Sequence, residues 1–243
     1  MSKWCIGITW DDVPHLSAQE KAGLWDSIPP HQREARAKGI PALGSGVIYP
    51  VAESVFVVEP FAIPAHWPRA YGLDVGWNRT AGIWGAYDAQ TDTVYLYSEH
   101  YVAEAPPQVH ADAIKARGAW IPGAIDPASA GSSQLDGRKL VDEYRTLSLD
   151  LAFADNAVEA GIHAVYRRLV SGRLKVFRTL PSWLSEVRLY RRDEKGKIVK
   201  ERDHLMDATR YLIMTGMARG TTEPRHDYED HYDRRGVSST TGY

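Results

Sequence analysis

The sequence predicts an α/β fold built on a β-sheet of mixed direction. Three runs of aromatic and β-branched residues, at positions 70–75, 80–87 and 93–102, follow one another with short turns between them. Such a series is typical of an antiparallel meander. From position 106 onward, helix-like and strand-like segments alternate, which is typical of parallel strands joined by helices. A single sheet that contains both parts has strands of both directions.

The meander is bounded by residues that favour turns. Its first strand, 70–75, runs into a turn at 74–78 that contains Gly76. The polar segment 88–92 joins the second and third strands as a hairpin connection. These boundaries predict three strands that pair with their neighbours along the chain.

Alternating helices and strands follow the meander. In chain order the pattern predicts a helix at 106–117, a strand at 120–125, a helix at 137–147, a strand at 149–154, a helix at 158–171, a strand at 174–177, a helix at 182–189, a polar hairpin at 190–201 and a helix at 203–215. The turn residues around Gly196 predict the hairpin. In the last helix, Asp203 is expected at the N-cap and Gly216 just beyond the end.

The two ends of the chain have weaker core patterns. Residues 1–68 are rich in Pro, Trp and turn residues, and they are expected to form a linker or the edge of something larger. Within them, Ser17 and Glu20 have the spacing of a capping box, which predicts a short helix. Residues 218–243 are polar with almost no aliphatic side chains, which predicts a mobile tail.

Composition limits the class of protein. A chain of 243 residues with 44% hydrophobic content can form one domain with a full core. No apolar run reaches the ~18 residues that span a bilayer, and no apolar segment of a signal peptide follows residues 1–4. The single cysteine, Cys5, excludes an internal disulfide framework and a multi-cysteine metal site. A cytoplasmic protein without a membrane partner is expected.

Basic residues are concentrated in one part of the chain. The formal net charge is −2, yet residues 163–202 contain twelve Lys and Arg against four Asp and Glu. Such an asymmetry favours a basic face near a polyanion, although a solvated helix and hairpin surface would have the same composition. Because the block runs directly into the last predicted helix, a DNA-facing surface is the preferred interpretation.

Three acidic residues stand at the edges of apolar segments. Asp74 and Asp126 end predicted strands, and Asp207 lies in the first turn of the last predicted helix. Each alone has an ordinary explanation as a turn, cap or helix-dipole residue. Together they bring carboxylate oxygens from distant segments, which are the ligands that Mg²⁺ and Mn²⁺ prefer. Two such ions drive in-line cleavage of a phosphodiester, so the pattern predicts a metal-dependent nuclease.

Three further residues belong to the candidate site or its surroundings. His204 lies three positions before Asp207, so both side chains can share a helix face. It is a candidate metal ligand, phosphate contact or proton carrier, against the ordinary role of a surface histidine. Asp203 is expected to serve as the N-cap. Glu186 is expected to pair with the basic block.

Three short strings are distinctive in combination. They are YGLDVG at 71–76, IDPAS at 125–129 and DHLMDATRY at 203–211. With these strings, residues 48–217 resemble the C-terminal nuclease domain of the large terminase subunit of tailed bacteriophages. The resemblance implies an RNase H-like fold, with a mixed sheet, flanking helices and an auxiliary hairpin beside the site. It also implies that Asp74, Asp126 and Asp207 hold two Mg²⁺ or Mn²⁺ ions, with His204 assisting.

The same resemblance implies a role in genome packaging. The family's activity is endonucleolytic cleavage of concatemeric double-stranded viral DNA, with little sequence specificity. The implied partners are DNA, a portal protein and a small terminase subunit, met in the host cytoplasm at the procapsid portal. The implied DNA contacts on and around the hairpin are Arg188, Arg191, Arg192, Lys195, Lys197 and Lys200.

The N-terminal segment resembles a connection to another domain. Residues 8–16 are similar to the stretch that joins the family's ATPase motor to its nuclease, so residues 1–47 are interpreted as a linker from a missing motor. The chain has no Gly-x-x-x-x-Gly-Lys-Ser/Thr phosphate loop. No ATPase activity is therefore expected from this chain.

Three other functions fit part of the pattern. A resolvase-like or transposase-like nuclease would place the same acids on the same fold and prefer branched DNA. A sugar-kinase or actin-like ATPase would use the Asp74-x-Gly76 turn on a nucleotide, but it would need further glycine-rich loops. A non-catalytic DNA-binding module would retain the fold and cut nothing.

Overall fold

Seven strands form one sheet in the part of the chain that this computed structural model describes, namely residues 9–28, 33, 37, 46–131 and 139–224. The strands are β1 (Val57–Val58), β2 (Arg69–Asp74), β3 (Thr80–Asp88), β4 (Thr93–Val102), β5 (Gly123–Ile125), β6 (Leu151–Phe153) and β7 (Leu174–Phe177). Their order across the sheet is β1-β7-β4-β3-β2-β5-β6. The predicted α/β class with a sheet of mixed direction is confirmed.

The meander occupies the centre of the sheet and parallel strands flank it. β3 pairs antiparallel with both β2 and β4, whereas β5 pairs parallel with β2, and β7 pairs parallel with β4. Opposite residues of β2 and β5 are Leu73 and Ile125. Because parallel strands end at the same edge of a sheet, the residues that follow these two lie side by side.

Helices cover both faces of the sheet. They are α1 (Ala18–Ser27), α2 (Glu53–Phe56), α3 (Pro107–Lys115), α4 (Leu140–Thr146), α5 (Val158–Val170), α6 (Pro181–Leu189) and α7 (His204–Met214). Side chains from α5, α6 and α7 share one apolar core with the sheet, and side chains from α3 and α4 share a second. The layers bury apolar surface on both sides, which is the main favourable contribution to folding.

The last helix is packed closely against the central strands. α7 contacts β2 and β3 along its length, and its buried residues include Leu205, Ala208 and Leu212. At Gly72 of β2 the helix backbone comes so near that an added Cβ would lie 1.9 Å from the Ala208 carbonyl oxygen. The absence of a side chain at Gly72 therefore sets the height of α7 above the sheet.

The segment 190–201 does not form the pair of strands that the sequence predicts. Only an isolated bridge joins Arg192 to Ile198, and Asp193 holds the turn by accepting the backbone N–H groups of Lys195 and Lys197. The segment is therefore a turn stabilised by a side chain. Because a polar edge has no apolar face to bury, it gains little from extending a ladder of backbone hydrogen bonds.

The N-terminal region contributes more to the domain than its composition indicates. Phe56 of α2 is buried in the core, and β1 extends the sheet beyond β7. The capping box predicted at Ser17 and Glu20 is present and begins α1. The remaining residues of the predicted 1–47 linker, 1–8, 29–32, 34–36 and 38–45, lie outside the described residues.

The predicted tail begins as packed structure. Thr221 exchanges backbone hydrogen bonds with Arg69 at the start of β2, and Glu223 forms an ion pair with the Arg69 guanidinium at 3.1 Å. The prediction of a mobile tail is therefore wrong for this stretch, while residues 225–243 lie outside the described residues. Among the described helices, none has the length and apolar character needed to cross a membrane.

Candidate active site

Two of the predicted acids lie side by side at one edge of the sheet. Asp74 is the last residue of β2, and Asp126 follows β5 directly. The backbone N–H of Asp126 donates to the carbonyl of Leu73 at 3.0 Å, which extends the parallel pairing to the site. The Asp126 Oδ1 accepts the N–H of Ala128 and begins the 3₁₀ turn Pro127–Ala130.

The first turn of α7 brings the other two predicted residues to the same edge. His204 Nδ1 lies 2.8 Å from Asp74 Oδ2, so a hydrogen bond joins the helix to the end of β2. Asp207 lies one turn later on the helix, as the i, i+3 spacing predicts. An ionised carboxylate only accepts hydrogen bonds, so Nδ1 carries the proton in this contact.

The carboxylates interact electrostatically. Burial raises the pKa of Asp74, the charges of Asp207 and Asp126 raise it further, and the hydrogen bond from His204 opposes these effects. The same hydrogen bond is the main cause of the raised pKa of His204. Burial first, and the neighbouring negative charges second, thus disfavour the ionised form of this carboxyl.

Asp207 is paired with two cationic side chains. Arg210, which is almost fully buried, donates to Oδ1 at 2.7 Å, and Lys200 donates to Oδ2 at 3.1 Å. The same Lys200 ammonium lies 2.9 Å from Asp203 Oδ2. Among the described residues, no three His, Cys, Asp or Glu side chains are grouped closely enough to hold a metal ion. With these side-chain positions the acids form a network of ion pairs.

An open cleft of about 430 Å³ gives solvent access to part of the site, and Asp126 is not among its lining residues. Asp74, His204 and Asp207 line it, together with Lys200 and the loop after β2.

Glu186 has a role that the sequence pattern does not predict. This side chain on α6 is 2% exposed, and it accepts hydrogen bonds from the Tyr101 hydroxyl and from the backbone N–H of Leu205. Glu186 therefore caps the helix that carries Asp207, whereas Asp203 occupies the N-cap position without a capping hydrogen bond. The prediction that Glu186 pairs with the basic block is wrong. Its position three residues after the buried Trp183 was the available signal for a core-facing side chain.

Replacing Glu186 by alanine is expected to lower the free energy of unfolding by about 3 kcal/mol, because the buried N–H of Leu205 and the half-buried hydroxyl of Tyr101 lose their acceptor. Glu186→Gln keeps an acceptor oxygen and should lose about 1 kcal/mol. Urea unfolding measures both changes. Glu194→Ala in the exposed turn is the control and should behave as the parent; equal losses in all three variants would contradict the capping role.

The basic block does not form one face. Arg188 donates two hydrogen bonds to the Glu53 carboxylate, and Arg192 donates two to the Glu159 carboxylate. Arg168 and Arg173 pair with Asp92, at the opposite end of β4 from the carboxylate cleft. The prediction of a single basic face is therefore wrong.

Part of the predicted DNA-contact set remains available. Lys195 and Lys197 are exposed, and among the described residues neither they nor Arg191 have an acidic side chain within ion-pair distance. Lys200 is turned towards the acids of the cleft.

Comparison with known proteins gives consistent matches. A family model described as the terminase RNaseH-like domain matches residues 71–215. The large terminase subunits of Enterobacteria phage LP7 and Salmonella phage P22 are each 35% identical over 223 residues, which are 88% of this chain and 46% and 44% of those proteins. The chain thus spans about half the length of the curated relatives it matches.

A solved structure matches the fold over most of the chain. The nuclease domain of the P22 large terminase is 32% identical, with a TM-score of 0.66, and the match covers 74% of this chain and 95% of that domain. The matched regions include the strands and the helix that carry the three acids.

Proposed function

This chain belongs to the terminase RNaseH-like domain family, and from that membership we propose that it is a divalent-metal-dependent endonuclease that cuts double-stranded DNA during phage genome packaging. The observation that carries the proposal is that Asp74 and Asp126 end neighbouring parallel strands, and that Asp207 on α7 lines the same cleft as Asp74. The charges of Asp126 and Asp207 both act on the Asp74 carboxyl. The repulsion of Asp74 by the two other carboxylates costs free energy, and a bound cation would offset that cost.

The residues fit a site for hard divalent cations. Asp74, Asp126 and Asp207 offer only carboxylate oxygens, which suit Mg²⁺ and Mn²⁺. The raised pKa of Asp74, caused by burial and then by its acidic neighbours, indicates that more positive charge would stabilise the ionised cluster. Two bound ions would neutralise the charge of the reacting phosphate and lower the pKa of an attacking water.

The side chains of the site have separable roles in this proposal. His204 donates from Nδ1 to Asp74, which fixes the orientation of that carboxylate, and when the ring is neutral Nε2 is its proton acceptor. Arg210 holds Asp207 in one position from inside the core. Lys200 is exposed and pairs with Asp207, so it is the group that would yield to an incoming cation.

The substrate proposed is concatemeric viral DNA cut with little sequence specificity. The cleft has an open edge for a phosphodiester backbone, and backbone contacts carry no sequence information. Arg191, Lys195 and Lys197 on the turn, together with Lys200, are the proposed backbone contacts of the 190–201 segment. A portal protein and a small terminase subunit are the proposed partners, at the procapsid portal in the host cytoplasm.

The proposal is tested by incubating the purified chain with supercoiled plasmid and Mn²⁺ or Mg²⁺. Nicked and then linear DNA is expected, and EDTA should stop the reaction because the carboxylates alone cannot neutralise the phosphate. Absence of cleavage over a wide range of both cations would overturn the proposal. Strong preference for a Holliday junction over linear duplex would instead identify a resolvase.

A further inference from the structure

A second groove opens beside the carboxylate cleft. It has a volume of about 370 Å³, and Arg79, Tyr101, Ser182 and Arg202 line it. Arg79 also lines the carboxylate cleft, so the two depressions are adjacent and share this side chain. A DNA strand that crosses the carboxylates would have this groove on one side.

Two arginines of this groove have no acidic partner. Neither Arg79 nor Arg202 has a carboxylate within ion-pair distance among the described residues, whereas most other arginines there are paired. The Arg79 guanidinium instead lies over the ring of Tyr101, 4.5 Å from its centroid. A cation that is positioned by an aromatic ring keeps its N–H donors for a ligand.

The Tyr101 ring under Arg79 is held in place by a hydrogen bond. The Tyr101 hydroxyl donates to the buried carboxylate of Glu186, which also caps α7. The charges of Arg79 and Arg202 both act on this phenol, where they oppose the rise in pKa that burial and Glu186 cause. One buried acid therefore ties the arginine groove to the helix that carries Asp207 and His204.

Arg202 adopts an unusual backbone conformation. Its φ is +53°, in the left-handed region where the Cβ of a non-glycine residue is crowded by its own backbone. It is exposed, and the buried Asp203 follows it directly.

We propose that Arg79 and Arg202 bind backbone phosphates of the DNA strand on the α6 side of the cleavage position. The proposal rests on the proposed nuclease function and deepens it. Carboxylates repel DNA, so a cleft that is lined by acids needs neighbouring cations to hold the substrate. Two unpaired guanidinium groups in a groove beside the acids supply this attraction, and their planar donors match a phosphate.

The test measures binding separately from cutting. A fluorescein-labelled duplex is titrated with protein in EDTA over a series of salt concentrations, and anisotropy gives the affinity. Arg79→Ala and Arg202→Ala should each weaken binding and reduce the slope of log affinity against log salt by about 0.9, because each removes one phosphate contact. The double variant should lose about twice that slope, and Arg79→Lys should retain it.

Arg167→Ala is the matched control. Arg167 is exposed near the end of α5, by Asp92 and the far end of β4, and it has no acidic partner among the described residues. Its removal should leave affinity and slope unchanged. Parent-like slopes for Arg79→Ala and Arg202→Ala would overturn the proposal even if the parent cuts plasmid with Mn²⁺. A parent that binds with the full slope but never cuts would overturn the nuclease function and leave the arginine contacts standing.

Discussion

Asp74→Asn is expected to reduce DNA cleavage by about a thousandfold or more, the scale of effect seen when a group that stabilises transition-state charge is removed. The change replaces one carboxylate oxygen of the proposed cation site and keeps the shape of the side chain. It should not unfold the protein, because burial and the charges of Asp207 and Asp126 already disfavour the ionised form of Asp74. Removing that charge relieves repulsion, so the melting temperature should stay level or rise.

A second measurement on the same variant reports the site without any metal. The hydrogen bond to Asp74 is the main cause of the raised pKa of His204. With a neutral amide at position 74, the pKa of His204 should fall towards its ordinary value of about 6.5. Titration of the histidine ring signals by NMR measures this shift in the metal-free protein.

The control is Asp150→Asn. Asp150 pairs with Arg219 and stands just before β6, at the opposite end of the sheet from Asp126. Its neutralisation should leave the cleavage rate unchanged. Asp126→Asn and Asp207→Asn should lose activity as Asp74→Asn does; parent-like cleavage by any of the three would remove that residue from the proposed set.

Strand boundaries were predictable where turn residues stand at both ends of a buried stretch of residues. β4 at Thr93–Val102 and β7 at Leu174–Phe177 begin and end where the pattern predicts. β5 is shorter than its predicted 120–125, since only Gly123–Ile125 pair with β2. Local preference thus located the elements, and pairing with a neighbouring strand decided their ends.

Elements that depend on distant partners were not predictable. β1 consists of Val57 and Val58, which become a strand only because β7 offers a parallel edge. In the same way, Arg188 and Arg192 lie in a basic stretch of the sequence that predicts an exposed surface. In the structure each pairs with an acid that is distant in the sequence. Charge counts along a chain do not show which charges meet in space.

The candidate site likewise has one contact that the sequence pattern allows and another that it does not show. The proximity of Asp74 and Asp126 follows from two neighbouring strand ends, which the sequence pattern allows. The approach of His204 to Asp74 depends on how closely α7 lies on β2, and that distance depends on Gly72. The sequence shows a glycine within a strand but not the helix that crosses it.

Gly72→Ala is therefore expected to destabilise the protein by about 3 kcal/mol or more, at the upper end of the cost of overpacking. The new Cβ would lie 1.9 Å from the Ala208 carbonyl oxygen and 2.8 Å from the Leu212 nitrogen. Both are backbone atoms of α7, so no side-chain rotation relieves the clash and the helix must move away from the sheet. Urea unfolding measures the loss of stability.

The same displacement should impair the site in whatever fraction of the variant remains folded. Moving α7 separates His204 from Asp74, and a misplacement of about 1 Å can cost a hundredfold in rate. Gly23→Ala is the matched control, because no atom lies within 4 Å of its added Cβ and alanine favours the surrounding α1 helix. It should cut DNA as the parent does and unfold at the same or a higher urea concentration. Parent-like stability of Gly72→Ala would mean that close packing of α7 on the β2 backbone is not required. Other contacts would then have to position His204 beside Asp74.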